Sequence, residues 1–141
     1  MDVCQDCKGP APDEDKDGQE NCWAVKNYKK YYASDYYSFS GISKMKAEIF
    51  KNGPISCGIA ATEKMHNYAG GIFYEEDQRT GINHIISVLG WGVENGTNYW
   101  VVQNSWGPTW GESGFFKIKQ GDCGINEQLF SCTPDLSNLS F

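Results

Sequence analysis

His84 and Asn104 lie on two alternating apolar segments that are joined by Asn95-Gly96. Asn-Gly between such segments is a strong hairpin signal, because both central residues of the tight turn need positive φ. The segments therefore predict neighbouring antiparallel strands that bring His84 close to Asn104. A neutral imidazole can accept a proton on one nitrogen while an Asn carbonyl oxygen holds the other. This pair supplies the base and the orienting group of a nucleophilic mechanism, and the nucleophile has to be found.

Composition restricts the class of protein. A chain of 141 residues fits one domain with a sizeable core, and 16 Gly, 5 Trp, 8 Tyr and 7 Phe indicate a turn-rich, mainly β structure. The net charge of −6 argues against nucleic acid or an anionic membrane as a partner. No segment has the length of a membrane helix, and the first residues lack the regions of a signal peptide.

Six cysteines and two N-x-S/T sequons, at Asn95 and Asn138, indicate an oxidising compartment, either lysosomal or secreted. Such a sequence without a signal peptide is expected to be an internal fragment of a longer protein. Residues 1–21 are polar and acidic, and we expect a loop closed by Cys7 and Cys22. A zinc site from Cys4, Cys7 and Cys22 is the alternative, but no fourth ligand lies nearby.

One helix is predicted, over about Ile42–Asn52. Ile42, Met45 and Ile49 share one face, Ser40 resembles an N-cap, and Gly53-Pro54 ends the element. Before it, the aromatic segment Trp23–Phe39 predicts an extended stretch packed on the core, with a ligand platform as the alternative.

After Pro54 the hydrophobic period becomes that of strands. His66 has no partner pattern around it and is predicted to be a surface residue, with a catalytic role as the alternative. Residues from Pro134 onward are expected to form a tail. The fold class is therefore α+β, mainly antiparallel β. The predicted strands are Ile55–Ala60, Gly71–Tyr74, Asn83–Trp91, Tyr99–Asn104 and Phe115–Lys119.

Several linked motifs resemble a known family. Asn83-His84, Gly90-Trp91-Gly92 and Asn104-Ser105-Trp106-Gly107 are similar to the His and Asn segments of papain-type cysteine peptidases. Further segments, Asn52–Ile59 and Tyr68–Ile72 among them, are similar to the cathepsin X (cathepsin Z) branch. The similarity runs from about Cys22 to Ile118.

The resemblance implies the right-hand, β-barrel-like half of a two-domain peptidase, over residues 22–133. Residues 1–21 would be a disulfide-linked acidic loop at the interdomain side, and residues 134–141 a C-terminal tail. His84 would be the general base and later the acid, its imidazolium stabilising a cysteine thiolate. Asn104 would orient the imidazole ring.

The resemblance also implies a substrate cleft. Trp106 would shield the His84–Asn104 hydrogen bond from water, and Trp110 would line the leaving-group side. A pocket for the side chain that precedes the scissile residue would be formed by Gly58, Ile82 and Ile85. The Asn83 backbone would pair with an extended peptide. The alternative for the tryptophans is that they are core aromatics, which applies more to Trp91 and Trp100 than to Trp106.

Cys22 is not expected to be the nucleophile, although Cys22-Trp23-Ala24 looks like the end of the family's nucleophile segment. The family signature is C-G-[SA]-C-[WY] with its His roughly 130 to 150 residues downstream, whereas Glu20-Asn21 precedes Cys22, only 62 residues before His84. The nucleophile is therefore expected roughly 45 to 65 residues before Met1. The glutamine of the oxyanion hole would be missing with it, so this chain alone should be inactive.

The resemblance implies a bridge between Cys57 and Cys132 and one between Cys7 and Cys22. It would pair Cys4 with a residue upstream, and it leaves Cys123 open, either bonded to Cys57 or as a leftover thiol.

The leading hypothesis is the C-terminal half of a cathepsin X-like cysteine peptidase that needs no metal or cofactor. Its partners would be the N-terminal half carrying the catalytic Cys and a peptide or protein substrate. The alternatives are a non-catalytic domain that binds peptides or a partner, and a purely structural secreted β domain. The residues present do not distinguish exopeptidase from endopeptidase action.

Overall fold

The structure is a computed structural model that describes residues 5–6, 23–25, 29–75, 81–135 and 137. The predictions for Cys4, Cys7, Cys22 and the acidic loop between them lie outside these residues. Within the described part, no helix is long and apolar enough to cross a membrane.

The chain divides into two compact units, residues 1–32 with 137–141 and residues 33–136. In the first unit, β1 (Gln5–Asp6) pairs antiparallel with β2 (Trp23–Ala24). The second unit holds most of the described elements and both histidines. The domain boundaries at residues 21 and 133 stay predictions.

A seven-stranded sheet organises the second unit. Its order is β3-β9-β4-β6-β7-β8-β5, and β5 runs parallel to β8 while the pairs β4–β6, β4–β9, β6–β7 and β7–β8 are antiparallel. The α+β, mainly antiparallel fold is confirmed. Because β3 and β5 end the sheet without closing it, the barrel description holds only loosely. The strands are β3 (Tyr32–Phe39), β4 (Ile55–Ile59), β5 (Ile72–Phe73), β6 (His84–Glu94), β7 (Thr97–Gln103), β8 (Phe115–Lys119) and β9 (Leu129–Asp135).

The predicted helix is confirmed as α1 (Ile42–Asn52), which buries Met45 and Ile49 against the sheet. Its expected Ser40 cap is wrong. Gly41 is the N-cap, at φ 97, with no side-chain hydrogen bond, and its N–H donates to Asn126 O at 3.0 Å. The first turn of α1 therefore has no side-chain cap, and a backbone contact with a distant loop holds its N-cap residue in place.

A second, short helix, α2 (Glu63–His66), was not predicted. Thr62 caps it, because its side-chain oxygen accepts a hydrogen bond from Met65 N–H at 3.3 Å. The helix has one turn and a single buried side chain, Met65, so it has no amphipathic period to recognise.

The core lies on the face of the sheet that α1 covers. Alternation along β4 turns Ile55, Cys57 and Ile59 inward, and Val88 and Val102 pair across the hairpin on the same face. Trp100 is fully buried, whereas Trp91, its cross-strand partner, is 39% exposed. The core role is therefore right for Trp100 and holds only partly for Trp91.

Two further expectations about the strands need correction. Within the described part of the aromatic segment, Tyr32–Phe39 is an extended strand as predicted, but Tyr32, Tyr36 and Tyr37 are exposed and, of the residues of β3, only Phe39 packs against the core. The strand β9 continues through Pro134 to Asp135, beyond the predicted start of the tail. Pro134 lies beyond the pairing of β9 with β4, which is at Leu129 and Phe130.

The implied bridge between Cys57 and Cys132 is not formed, and both residues are thiols. Cys57 pairs with Leu129 in register, so Cys132 lies three positions further along β9. Three positions span about 10 Å and an odd step turns the side chain to the opposite face, beyond the reach of a disulfide. Cys57 is fully buried and Cys132 is exposed.

We expect these thiols to differ in their rates of alkylation. Burial raises the pKa of Cys57 to about 12, and burial together with Asp122 raises that of Cys123 to about 12. Iodoacetamide at pH 8 should modify Cys132 at least tenfold faster than either, because the buried thiols are inaccessible and hold almost no thiolate. Peptide mapping of the native chain measures this, with the urea-unfolded chain as the control for equal intrinsic reactivity. Equal native rates, or a Cys57–Cys132 crosslinked peptide, would contradict the structure.

Candidate active site

The sheet brings His84 and Asn104 together. Gln103 pairs with Ser87, so Asn104 continues on the face that carries Ile86 and, two residues away, His84. Diagonal neighbours of this kind are within reach of long side chains. His84 Nε2 lies 2.8 Å from Asn104 Oδ1. The juxtaposition that the hairpin predicted is present.

Asn104 is held in one orientation. It is 8% exposed, its Oδ1 accepts a hydrogen bond from Ser105 N–H at 2.8 Å, and its own N–H donates to Gly114 O at 2.9 Å. An oxygen that accepts from a backbone N–H cannot be exchanged with the amide nitrogen. His84 Nε2 must therefore donate to this oxygen, which leaves Nδ1 to accept a proton in the neutral ring.

One donor of Asn104 remains unused. Its Nδ2 is buried and has no hydrogen-bond partner among the residues that the structure describes. A buried amide without a partner costs about 1–3 kcal/mol. The site thus keeps an unsatisfied polar group beside the hydrogen bond between His84 and Asn104.

Trp106 lies against this pair. Its indole stacks on the His84 imidazole, with ring centroids 5.0 Å apart and planes 28° apart, and it is half-buried against the core. Trp106 thereby provides an apolar neighbour for the ring that hydrogen-bonds to Asn104. A hydrogen bond is stronger where the local dielectric is low.

Trp110 supports Trp106 edge-on, with ring centroids 4.9 Å apart. Behind it, Tyr68 packs on Trp110, and its hydroxyl lies 2.6 Å from Gly71 O and 2.9 Å from Glu112 Oε2. Burial is the main cause that raises the pKa of Tyr68 to about 12, so the hydroxyl stays protonated and donating. These contacts fix the loop that carries both tryptophans.

The expected pocket residues form a second group. Gly58 pairs with Ile85 in register, and Ile85 is 54% exposed. Ile82 lies over Gly58, since a Cβ added at Gly58 would be 2.7 Å from Ile82 Cγ2. The glycine therefore makes room for the isoleucine, and the three residues lie together.

Asn83 is tied to the sheet by three hydrogen bonds. Its Oδ1 accepts from Ala61 N–H at 2.7 Å, its Nδ2 donates to Ala61 O at 3.1 Å, and its backbone N–H donates to Ile59 O at 3.0 Å. The backbone N–H is thus engaged within the chain. Any pairing with a peptide has to use the carbonyl oxygen.

Sequence reasoning missed Gln128 near the site, and it missed the contact of His66, which was predicted to be a surface residue with a catalytic role as the alternative. Gln128 lies beside the pocket, with its Oε1 3.6 Å from a Cβ placed at Gly58. His66 is exposed, as predicted, but its ring stacks on Trp106 with centroids 4.5 Å apart. Both contacts join distant parts of the chain, so no local pattern reveals them.

An open depression of about 750 Å³ adjoins the site on the face of the sheet away from α1. Asn104 and Ser105 lie at its wall, and Ile85, Phe130 and Tyr36 supply apolar surface. Phe130 is 49% exposed and Tyr36 is 82% exposed. Among the described residues, no group of three or more His, Cys, Asp or Glu is placed to hold a metal ion.

Known proteins resemble this chain in sequence. The family model described as papain family cysteine protease matches residues 4–133. Cathepsin Z of Onchocerca volvulus is 53% identical over 100 residues, covering 70% of this chain and 32% of that protein. Cathepsin B-like cysteine proteinase 5 of Caenorhabditis elegans is 34% identical over 143 residues, covering 92% of this chain and 42% of that protein.

Solved structures show the same fold. Procathepsin B S9 of Trypanosoma congolense superposes with a TM-score of 0.69 at 32% identity, over 77% of this chain and 38% of that one. Digestive procathepsin L 3 of Tenebrio molitor gives a TM-score of 0.66 at 34% identity, over 72% and 35%. The chain belongs to the papain family of cysteine proteases. It spans about a third to two-fifths of the length of these relatives.

We expect the glycine of the pocket to be intolerant of a side chain. Gly58→Ala should lower the free energy of unfolding by about 1–3 kcal/mol, because the added Cβ overpacks against Ile82. Gly81→Ala is the matched control, since a Cβ at Gly81 meets nothing within 4 Å, and it should be neutral or slightly stabilising. Urea unfolding of the two variants measures the difference. Equal effects of both substitutions would show that Ile82 does not occupy this space.

Proposed function

We propose that this chain is the C-terminal half of a cysteine peptidase that hydrolyses peptide bonds, and that His84 and Asn104 act on a cysteine outside the chain. The observation that carries the proposal is the 2.8 Å contact between His84 Nε2 and the locked Asn104 Oδ1. This contact leaves His84 Nδ1 as the proton acceptor. The match to the papain family of cysteine proteases supports the proposal.

The described cysteines are poor candidates for the nucleophile. Cys57 and Cys123 are buried, and burial favours their neutral thiols. Cys132 is exposed, but it lies two strands from His84 and five register positions along the sheet. Five positions alone correspond to about 17 Å. None of these three thiols is therefore placed to reach His84, and Cys4, Cys7 and Cys22 lie outside the described residues.

The proposed mechanism gives His84 both proton transfers. Nδ1 takes the proton of the cysteine thiol, and the resulting thiolate attacks the peptide carbonyl. The imidazolium then protonates the leaving amine, which departs as the C–N bond breaks. Water next attacks the acyl-enzyme while His84 accepts its proton, and the thiol is regenerated. Asn104 keeps the ring in place throughout, and donors from the other half would stabilise the oxyanion.

Substrate contacts are proposed for the residues around this pair. The Asn83 carbonyl oxygen would accept a hydrogen bond from an extended peptide, since its N–H is already used. Gly58, Ile82 and Ile85 would receive an apolar side chain. Trp110, which packs on Trp106, would line the side of the leaving group.

We propose the N-terminal half as the partner that covers the depression beside Asn104. Its apolar lining residues Ile85, Phe130 and Tyr36 are 54%, 49% and 82% exposed, a large apolar surface for a soluble chain. The relatives are two to three times longer than the part they share with this chain. A lysosomal or secreted location is proposed with this assignment.

We expect hydrolysis only when both halves are present. Co-expression of the chain with the N-terminal half of the Onchocerca volvulus cathepsin Z should yield a complex that cleaves a fluorogenic peptide. His84→Ala should reduce kcat/KM by at least about 1000-fold, because the thiol loses its base. Asn104→Ala should reduce kcat/KM by about 10- to 100-fold, since the His84 ring loses the hydrogen bond that orients it. The chain alone should give no turnover.

Val93→Ala serves as the control, because Val93 is exposed near the hairpin turn, nine residues from His84. It should retain full activity. Turnover by the purified chain alone that is abolished by His84→Ala would contradict the proposal that the nucleophile lies elsewhere. A stable complex that binds the peptide without cleaving it would favour the alternative, a non-catalytic peptide-binding domain.

A further inference from the structure

We propose that His66 is a positioning residue of the site: its imidazole stacks on Trp106 and thereby holds the indole against the His84 ring. The inference rests on the proposed function only for its catalytic meaning, since the contacts are within the chain itself. The chain has two histidines. Trp106 stacks on both of them, at 4.5 Å from His66 and 5.0 Å from His84.

The geometry of His66 favours this role. Its ring is nearly parallel to the indole, at 11°, which is closer to parallel than the 28° of His84. His66 Nδ1 lies 3.0 Å from Thr62 O, and a carbonyl oxygen only accepts, so Nδ1 donates the hydrogen bond. This bond spans one turn of α2 and fixes the plane of the ring.

The backbone of His66 reaches the second tryptophan. Trp110 Nε1–H donates to His66 O at 3.0 Å, while Trp110 packs edge-on against Trp106. One residue of α2 therefore restrains both indoles, one through its ring and one through its carbonyl. Thr62, whose hydroxyl caps α2 and also lies 2.9 Å from Glu75 Oε2, anchors this turn to the loop after β5.

The position of Trp106 affects the hydrogen bond between His84 and Asn104. Trp106 belongs to a loop, where its ring contacts and its packing against the core keep the indole beside His84. If the His66 ring is removed, one stacking partner is lost, and the indole can move away and admit water to the His84–Asn104 contact. Aromatic stacking of this kind corresponds to about a two- to tenfold change in the population of the stacked state.

The test follows the proton that His84 Nε2 donates to Asn104, in the chain itself and without any activity assay. Exchange of this proton with water is measured by nitrogen-selected NMR on imidazole-labelled protein. We expect His66→Ala and His66→Asn to accelerate exchange about two- to tenfold. His66→Phe should restore the slow rate, because it returns a flat ring without the hydrogen bond to Thr62.

If the His66→Ala variant fails to fold, the comparison of His66→Phe with His66→Asn still tests the proposal. His66→Asn retains a polar side chain without a six-membered or imidazole ring, whereas His66→Phe retains an aromatic ring. The amide spectrum of the buried strands reports whether each variant is folded. Unchanged exchange in His66→Asn, or equal acceleration in His66→Asn and His66→Phe, would overturn the proposal. Neither result depends on whether the assembled halves hydrolyse peptides, so the two proposals fail separately.

Discussion

The Oδ1 atom of Asn104 is the point on which this site depends. It accepts from Ser105 N–H on one side and from His84 Nε2 on the other, both at 2.8 Å. The backbone donor fixes which end of the amide faces the imidazole, and that choice fixes the tautomer of His84. A single local hydrogen bond thus determines which histidine nitrogen is available for chemistry.

The surrounding structure maintains that contact from several directions. The β6–β7 register sets the two side chains on one face, and the N–H of Asn104 bonds Gly114 O and so ties the end of β7 to the loop that precedes β8. The same loop carries Trp106 and Trp110, and Tyr68 packs against Trp110. Because these contacts come from separate chain segments, the imidazole is oriented before any partner arrives. Such preorganisation is what makes a proton acceptor effective.

The strands and the central pair could be predicted because they depend on local rules. Asn95 and Gly96 adopt φ of 49° and 77°, which is the turn that their types favour, and the alternating apolar residues then set the faces. The helix α1 follows in the same way from Met45 and Ile49. The N-cap of this helix could not be predicted in this way, because Gly41 is held by Asn126 from another part of the chain.

What the sequence could not supply are long-range registers and contacts. The bridge between Cys57 and Cys132 required β9 to lie in a different register, and no local pattern fixes that register. The role of His66 depends on a ring that lies forty residues away in sequence, at Trp106. An exposed histidine on a one-turn helix carries no periodic signal. Stacking and register of this kind become visible only when the strands are assembled.

The tautomeric states of the two histidines test the account most directly. A long-range proton–nitrogen correlation spectrum of the chain at pH 8 distinguishes protonated from unprotonated ring nitrogens. The account predicts that His84 carries its proton on Nε2 and that His66, bonded to Thr62 O, carries its proton on Nδ1. Each histidine thereby serves as the control for the other. A His84 ring protonated on Nδ1 would contradict the account, because no nitrogen would then face a nucleophile as an acceptor.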